Sequence, residues 1–261
     1  MRLQKCACIE PMYGELPFLD RFQAAKDSGF DFVEFWSWAG RDLDAVKAAA
    51  EQAGVTIAGF NGDATLSLVD SGQRGAYLAF LRRSVAAAKK LGARSLTIHS
   101  NGLGEGGAVI NAYPNLSDAA KLRAMSGTLK ECAKIAEDAG IPIHLEPLNT
   151  AVDHPGCFLT TTCMAAELTG TIGSPMLKIL YDAYHMYLSE GDLCGNILAY
   201  GSQFGHVHVA DAPGRHEPGS GTIDYGKVFA CLEESGYRGL VGYELIPQTT
   251  TAEAVNAIMQ Y

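Results

Sequence analysis

Four short apolar segments in the second half of the chain each carry an ionisable side chain at or near their end. These side chains are Glu146 in IPIHLE, Asp182 in LKILYD, His208 in FGHVHVA and Glu244 in GLVGYE. A charge inside an apolar segment is costly unless it is paired or bound to a cation. Carboxylates that converge also raise one another's pKa values, and a divalent cation removes that conflict. The pattern therefore predicts one metal site with these four ligands.

The ligand types narrow the choice of metal. Three carboxylate oxygens and one imidazole nitrogen suit Mn²⁺ or Mg²⁺ in octahedral geometry, with positions left open for substrate oxygens. Co²⁺ and Zn²⁺ are the alternatives. The competing interpretation is that these are ordinary polar residues at the starts of loops, but four in register favour a metal. No organic cofactor is expected.

Other polar side chains at the same strand ends are candidates for substrate binding. His99 closes the segment RSLTIH, and His185 follows Asp182 by three residues in YDAYH. Arg215 and Glu217 lie in GRHEP, in the loop after the seventh segment, where a guanidinium can clamp a hydroxyl or carboxylate group. We expect all four to face the same opening as the metal.

Three further features have two interpretations each. His206 points the same way as His208 on a strand and lies one layer deeper, so it either orients a ligand or is a buried core histidine. Trp36 and Trp38, after Glu34, are an aromatic wall over the substrate or ordinary packing. The glycine-rich stretch 102–107 has no following Lys-Ser/Thr pair, which favours a flexible lid over a phosphate loop.

The elements that must position these residues alternate along the chain. Apolar segments rich in β-branched residues are followed by amphipathic stretches that end in glycine, as helices with left-handed caps do. Eight strands followed by helices predict an α/β fold, a (β/α)₈ TIM barrel, with residues 1–261 as a single domain. In such a barrel, chemistry takes place at the carboxyl ends of the strands. The predicted strands are 3–9, 31–36, 55–60, 94–99, 141–146, 177–182, 204–210 and 239–244.

Composition limits the partners and the setting. The 261 residues carry a net charge of −9, which argues against nucleic acid because such a surface needs a basic stripe. No apolar run reaches the length of a membrane span, so we expect no membrane partner and a cytoplasmic protein. The seven cysteines include no CxxC pair, and we expect them to be reduced, mostly buried thiols.

Several motifs resemble the hydroxypyruvate isomerase-like branch of the xylose isomerase-like TIM barrels, and the resemblance covers nearly the whole chain. It implies a metal held by Glu146, Asp182, His208 and Glu244, with Glu146 and Glu244 as the acid/base pair. It further implies that His185 and Arg215 contact the substrate, and that the protein is a homo-oligomer, a dimer or a tetramer. The motifs are LEPLN (145–149), YDAYH (181–185), GHVHVAD (205–211), GRHEPGSGTIDY (214–225) and GYRGLVGYELIP (236–247).

The expected activity is a metal-dependent isomerisation of hydroxypyruvate or a related short 2-oxo acid or sugar, through proton transfer and an enediolate. The alternative is a ketose 3-epimerase, because hydroxypyruvate isomerases typically have glutamine at the position of His208, whereas these epimerases have histidine. The partner in both cases is a small hydroxy-carbonyl compound or sugar. Two rivals from other classes are a metal-dependent phosphodiesterase for damaged DNA, which needs more ligands and a basic surface, and a non-catalytic sugar-binding barrel.

Overall fold

A computed structural model describes residues 3–261 and shows eight parallel strands that close into a barrel. Each strand pairs with the next in sequence, and the first pairs with the last. The fold confirms the predicted TIM barrel. The strands are β1 Gln4–Cys8, β2 Phe32–Phe35, β3 Thr56–Asn61, β4 Ser95–His99, β5 Ile143–Glu146, β6 Leu177–Asp182, β7 Phe204–Val209 and β8 Leu240–Tyr243.

Helices connect the strands, and capping residues in the sequence mark where they begin and end. The Asp42 side chain accepts the backbone N–H groups of Asp44 and Ala45 at the start of α3, and Gly54 ends that helix with φ +67°. A residue with a side chain is strained at such a positive φ, so glycine is favoured there. The helices are α1 Ile9–Met12, α2 Asp20–Asp27, α3 Leu43–Ala53, α4 Arg74–Leu91, α5 Asp118–Ala139, α6 Thr162–Ile172, α7 Ala183–Ser189, α8 Leu193–Tyr200, α9 Tyr225–Glu234 and α10 Thr251–Gln260.

The connection after β6 runs from Ala183 to Gln203. It contains two helices, α7 and α8, and α7 begins directly at the end of the strand. Asp182 is the last residue of β6 and also the N-cap of α7. A predicted metal ligand therefore terminates the strand and starts the helix.

The inside of the barrel is layered from apolar to polar. Cys6, Phe32, Ala58 and Leu240 form a small buried apolar cluster. Since alternate residues of a strand point to the same side, Glu34 lies one layer above Phe32. The large apolar core lies between the strands and the surrounding helices. This arrangement leaves the ionisable groups at the upper layers, near the carboxyl ends of the strands.

The cysteines are not all reduced as expected. Cys194 in α8 and Cys231 in α9 form a disulfide, and their Cα atoms are 5.7 Å apart. The two positions are separated by 37 residues and become neighbours only because α8 packs against α9. The other five cysteines are free thiols, and four of them are buried.

Two further expectations concern membrane spans and the glycine-rich stretch 102–107. Within residues 3–261, no helix combines the length and the apolar character needed to cross a membrane. The glycine-rich stretch contains a short helical turn over Glu105–Gly107. The imidazole Nδ1 of His154 lies 2.7 Å from the carbonyl oxygen of Gly107, which anchors the turn to the loop after β5. The flexibility of the segment stays a prediction.

Candidate metal and substrate site

The four predicted metal ligands converge at the top of the barrel. Glu146, Asp182, His208 and Glu244 are all buried, and one ligand atom from each lies within 4.8 Å of the others. The strand register explains part of this, because Asp182 and His208 are directly paired residues of β6 and β7. This cluster could hold one metal ion.

Asp182 has one carboxylate oxygen engaged by the backbone and the other facing the cluster. Its Oδ1 accepts the backbone N–H groups of Tyr184 and His185, at 2.8 and 3.2 Å, in the first turn of α7. Burial raises the pKa of Asp182 to about 7, and the neighbouring Glu146 and Glu244 add to this rise against the opposing effect of Arg215. Burial therefore disfavours the charged form of Asp182, and a bound cation would favour it.

Glu244 is held from two sides by residues outside β8. The indole N–H of Trp36 donates to its Oε1, and the guanidinium of Arg215 donates to its Oε2. Burial opposes ionisation of this carboxyl, but Arg215 and His208 lower its pKa well below the usual value. Glu244 is therefore a carboxylate near neutral pH.

Glu146 is held by a histidine from the adjacent strand. The Nε2 atom of His99 lies 3.1 Å from Glu146 Oε2, and the opposite ring nitrogen lies 3.2 Å from Asp63 Oδ1. Burial disfavours the charged imidazole, but the two carboxylates outweigh it and raise the pKa of His99 well above its usual value. The protonated ring can donate to both carboxylates at once.

His208 also lies between carboxylates. Its Nδ1 atom is 3.4 Å from Glu244 Oε2, and its Nε2 atom is 3.2 Å from Glu34 Oε1. The second oxygen of Glu34 lies 2.8 Å from Nε2 of His206. His206 is thus a buried histidine that shares a carboxylate with the predicted metal ligand, which combines the two interpretations offered for it.

A glycine in β8 makes room for this group. Gly242 is paired with His208 in the strand register. A Cβ atom at Gly242 would overlap Glu34 Oε1 and would approach His206 Nε2 to 2.8 Å. Such a distance is below any normal contact, so the glycine is needed for Glu34 to reach the two histidines.

The proton position on His185 follows from its hydrogen-bond partner. The Oδ1 atom of Asn149 accepts the backbone N–H groups of Val152 and Asp153, which fixes the orientation of the amide. Its nitrogen therefore donates to Nδ1 of His185, at 2.6 Å. Burial, with Arg215 nearby, lowers the pKa of His185 well below its usual value. The ring is neutral and carries its proton on Nε2, which lies 3.6 Å from Asp182 Oδ2.

Arg215 reaches the site from a tightly bonded loop. Its backbone has φ +58°, a region that residues other than glycine rarely adopt. The loop is wound around the buried carboxylate of Asp211, which accepts the backbone N–H groups of Ala212, Gly219, Gly221 and Ile223. An unusual backbone conformation maintained this way is typical of a functional position.

Glu217 has a different environment from the other predicted substrate-binding residues. It is buried, and its Oε2 accepts the backbone N–H of Gln248, at 3.0 Å, in the loop after β8. The structure thus places His99, His185 and Arg215 in direct contact with the predicted metal ligands, and Glu217 in a contact between two loops. Its role as a substrate contact stays a prediction.

The residues present fit a divalent cation. Within the described chain, Glu146 Oε1 and His208 Nδ1 are buried polar atoms without a hydrogen-bond partner. Both belong to the four-residue cluster, and a donor set of three carboxylates and one imidazole is one that divalent metals accept.

Some residues of the site are not evident from the sequence. Asp63 lies in the stretch NGDATLS, which is typical of a loop, and Asn149 follows a strand without a periodic pattern. Trp36 follows a strand end and is compatible with an aromatic wall, but its hydrogen bond to Glu244 connects positions 208 residues apart. The one signal that these positions share is that each lies within three residues of the end of a strand.

Comparison with known proteins gives relatives that match over almost their whole length. The chain is 31% identical to hydroxypyruvate isomerase of Escherichia coli (strain K12), with 95% of each chain covered. It is 31% identical to 2-oxo-tetronate isomerase of Cupriavidus necator, with 98% of this chain and 97% of that protein covered.

Solved structures share the fold. A family 2 AP endonuclease from Brucella melitensis superposes with a TM-score of 0.90, at 29% identity, over 100% of this chain and 99% of that one. A D-psicose 3-epimerase from Clostridium cellulolyticum H10 has a TM-score of 0.79 at 21% identity, covering 97% and 90% of the two chains. At that identity the epimerase shows the fold alone.

The two sequence relatives are both isomerases, which indicates the class of this protein. The chain is an enzyme of the isomerase class. The sequence model described as Xylose isomerase-like TIM barrel matches residues 22–261. The chain belongs to this family, as its motifs predict.

Proposed function

We propose that this enzyme is a metal-dependent isomerase of hydroxypyruvate or a related short 2-oxo acid or sugar. The observation that carries the proposal is the convergence of Glu146 and Glu244, with Asp182 and His208, on one point at the mouth of the barrel. The similarity to hydroxypyruvate isomerase and 2-oxo-tetronate isomerase supports a short 2-oxo acid as the substrate.

The four side chains of the cluster would hold Mn²⁺ or Mg²⁺, with Co²⁺ or Zn²⁺ as alternatives. When bound, the cation would supply Lewis acidity toward two adjacent oxygens of the substrate. The protein's own contribution is a set of carboxylates that their hydrogen-bond partners fix in place. Removing the reacting carbons from bulk water strengthens these interactions.

The reaction moves one proton between two neighbouring carbons of the substrate and one proton between the oxygens that they bear. A glutamate removes a proton from the carbon that bears the hydroxyl group, and the electron pair forms a carbon–carbon double bond in an enediolate. A proton then adds to the neighbouring carbon, and the hydroxyl proton moves to the former carbonyl oxygen, so the carbonyl and the hydroxyl exchange places. A positioned carboxylate contributes about 10²–10⁴ in rate. We assign this role to Glu146 and Glu244, which belong to the same cluster.

His185 and Arg215 have the properties of substrate-binding groups. The neutral imidazole of His185 has one proton, on Nε2, and this atom faces the cluster through its proximity to Asp182. The guanidinium of Arg215 extends between Asp182 and Glu244. Both are donors, so they would hold substrate oxygens and keep the reacting carbons between the two glutamates.

A ketose 3-epimerase is the second candidate, and His208 together with the two glutamates favours it. In an epimerase, one glutamate removes the proton and the opposite one returns it to the other face of the same carbon. A DNA-cleaving activity has less support, because the net charge of −9 does not suit a nucleic-acid surface.

The test is a screen of the purified protein in deuterated buffer with added Mn²⁺. Hydroxypyruvate, longer 2-oxo acids and free ketoses are the substrates, and deuterium incorporation is followed by NMR. We expect incorporation together with a shifted carbonyl, loss of both after chelation, and recovery with Mn²⁺.

Inversion of one centre in a ketose without carbonyl migration would assign the epimerase activity instead. Incorporation that is indifferent to chelation and to metal addition would contradict the metal requirement. An absence of incorporation with every substrate class would contradict both candidates.

A further inference from the structure

His99 has both of its ring nitrogens directed at buried carboxylates. Nδ1 lies 3.2 Å from Asp63 Oδ1, and Nε2 lies 3.1 Å from Glu146 Oε2. The side chains of the three residues are nearly inaccessible to solvent, at 6%, 3% and 5% exposed respectively. A ring with both nitrogens engaged in this way has no polar atom left to offer a substrate.

Asp63 is in turn fixed by the surrounding fold. Its Oδ2 accepts the backbone N–H of His99 at 2.6 Å and the hydroxyl of Tyr77 at 3.2 Å. Tyr77 belongs to α4 and is buried. Backbone, helix and strand therefore hold the carboxylate together, and it can orient the imidazole without moving.

The strand register places the histidine beside the glutamate. His99 and Glu146 are paired Cα positions in the β4–β5 ladder. One oxygen of Glu146 is bound by His99, while the other, Oε1, has no hydrogen-bond partner among residues 3–261. The contact thus fixes the rotation of the carboxylate group and leaves Oε1 for the cluster.

We propose that His99, supported by Asp63, is a positioning residue that holds the carboxylate of Glu146 in place without touching the substrate. The inference rests on the proposed function for the role of Glu146. The hydrogen-bond chain Tyr77–Asp63–His99 therefore supports only one of the two glutamates, Glu146. The role differs from the direct substrate contact expected for a polar residue at a strand end.

The proposal predicts a specific pattern in three variants. Asp63→Asn and His99→Ala should weaken Mn²⁺ binding by about 10–100-fold, the usual effect of losing an outer partner of a metal ligand. In turnover they should lower kcat and leave KM nearly unchanged, since the substrate contacts remain. His99→Gln keeps an N–H donor toward Glu146 and should recover part of both losses.

A matched pair of tyrosine variants controls for general loss of a buried hydrogen bond. Tyr77→Phe removes the hydroxyl that binds Asp63, and Tyr237→Phe removes a buried hydroxyl that donates to the carbonyl of Leu240, at 2.7 Å. Only Tyr77→Phe should reduce Mn²⁺ affinity. It also keeps the proposal testable if the Asp63 or His99 variants do not fold.

The metal titration by calorimetry separates this proposal from the proposed function. Wild-type protein that binds Mn²⁺ but turns over no substrate would contradict the function, while the variants would still report on Glu146 through their affinity. A rise in KM with unchanged Mn²⁺ affinity in His99→Ala would make His99 a substrate contact. Unchanged affinity and kcat in Tyr77→Phe, Asp63→Asn and His99→Ala alike would also overturn the proposal.

Discussion

The two glutamates at the mouth of the barrel are held by different kinds of structure. Glu146 is fixed by His99 from the adjacent strand, with Asp63 behind it, and all three are buried. Glu244 is fixed by Arg215 from the loop after β7 and by Trp36, which is 43% exposed. The contact on one side of the site therefore joins residues of two paired strands, whereas the other side depends on residues outside the strands and nearer to solvent.

This difference indicates what each side can do. Strand residues joined by ladder hydrogen bonds move little, which suits a group that must keep a metal ligand in one geometry. Loops vary and move more readily than the elements they connect, which suits recognition of the substrate and its release. We expect changes on the Glu146 side to affect metal affinity and kcat, and changes on the Glu244 side to affect KM as well.

The largest effect is expected from replacing either glutamate. Glu146→Gln and Glu244→Gln should each lower kcat by about 10²–10⁴, because each removes a carboxylate placed for proton transfer. Glu146→Gln should also destabilise the fold more, by about 1–3 kcal/mol, because it disturbs a buried hydrogen-bond chain. Steady-state kinetics and thermal unfolding check the two effects.

The control for both variants is Glu51→Gln, on the exposed surface of α3. It should leave kcat and stability nearly unchanged. Equal stability loss in Glu146→Gln and Glu244→Gln would argue that the two sides are equally rigid.

A methyl group at Gly242 should damage the site from within the barrel. The Cβ atom of Gly242→Ala would overlap Glu34 and crowd His206, so Glu34 and His208 must shift. We expect overpacking to cost about 1–3 kcal/mol of unfolding free energy. We also expect a loss of Mn²⁺ affinity of about 10–100-fold. Unfolding and metal titration measure these losses.

Gly75→Ala is the matched control for that substitution, because a Cβ atom there meets nothing within 4 Å. It lies in α4 and should be neutral or slightly stabilising. Wild-type Mn²⁺ affinity in Gly242→Ala would show that Glu34 and His208 are not needed in their present positions.

A smaller effect is expected from Arg215→Lys. Lysine keeps the charge but loses the planar guanidinium, whose Nη2 atom contacts both Asp182 and Glu244, so KM should rise by about tenfold while kcat falls less. Arg238→Lys, outside the site, should have wild-type kinetics. A fall in kcat without a rise in KM would contradict this prediction, because that is the result expected for residues on the Glu146 side.

The sequence predicts the ligand residues on the strands better than it predicts the residues that support them. Glu146, Asp182 and His208 follow from strand period and from the rule that strand ends face one opening. Asp63 lies beyond the end of β3 in a stretch without periodicity, and its bond to His99 joins residues 36 positions apart. Local sequence does not contain such a contact, because it arises only when the barrel closes.

The same reasoning explains the other differences between expectation and structure. The Cys194–Cys231 disulfide depends on the packing of α8 against α9, which no spacing rule predicts. Gly242 looks like an ordinary interruption of a strand, and only the neighbouring Glu34 shows why no side chain fits there. The sequence shows which residues can carry a charge, whereas the residues that pair with them depend on tertiary packing.

Metal binding should also depend on pH, and this dependence reports on the charge shared by the two sides. In the metal-free protein the pKa of Asp182 is about 7, raised by burial and by Glu146 and Glu244. Glu34 and Glu244 likewise raise the pKa of His208 against the effect of burial. Both groups must lose protons to act as ligands.

Mn²⁺ affinity should change in one direction with pH, because the cation must displace these protons at lower pH. Mn²⁺ affinity should therefore fall as the pH drops below 7, by up to about tenfold per pH unit for each proton displaced. Calorimetric titrations between pH 5.5 and 8 in two buffers of different ionisation enthalpy count the protons released. Since Arg215 lowers the pKa of Asp182, Arg215→Gln should move the fall to higher pH. An affinity that stays constant across this pH range would contradict the prediction, because it would mean that Mn²⁺ displaces no proton from Asp182 or His208.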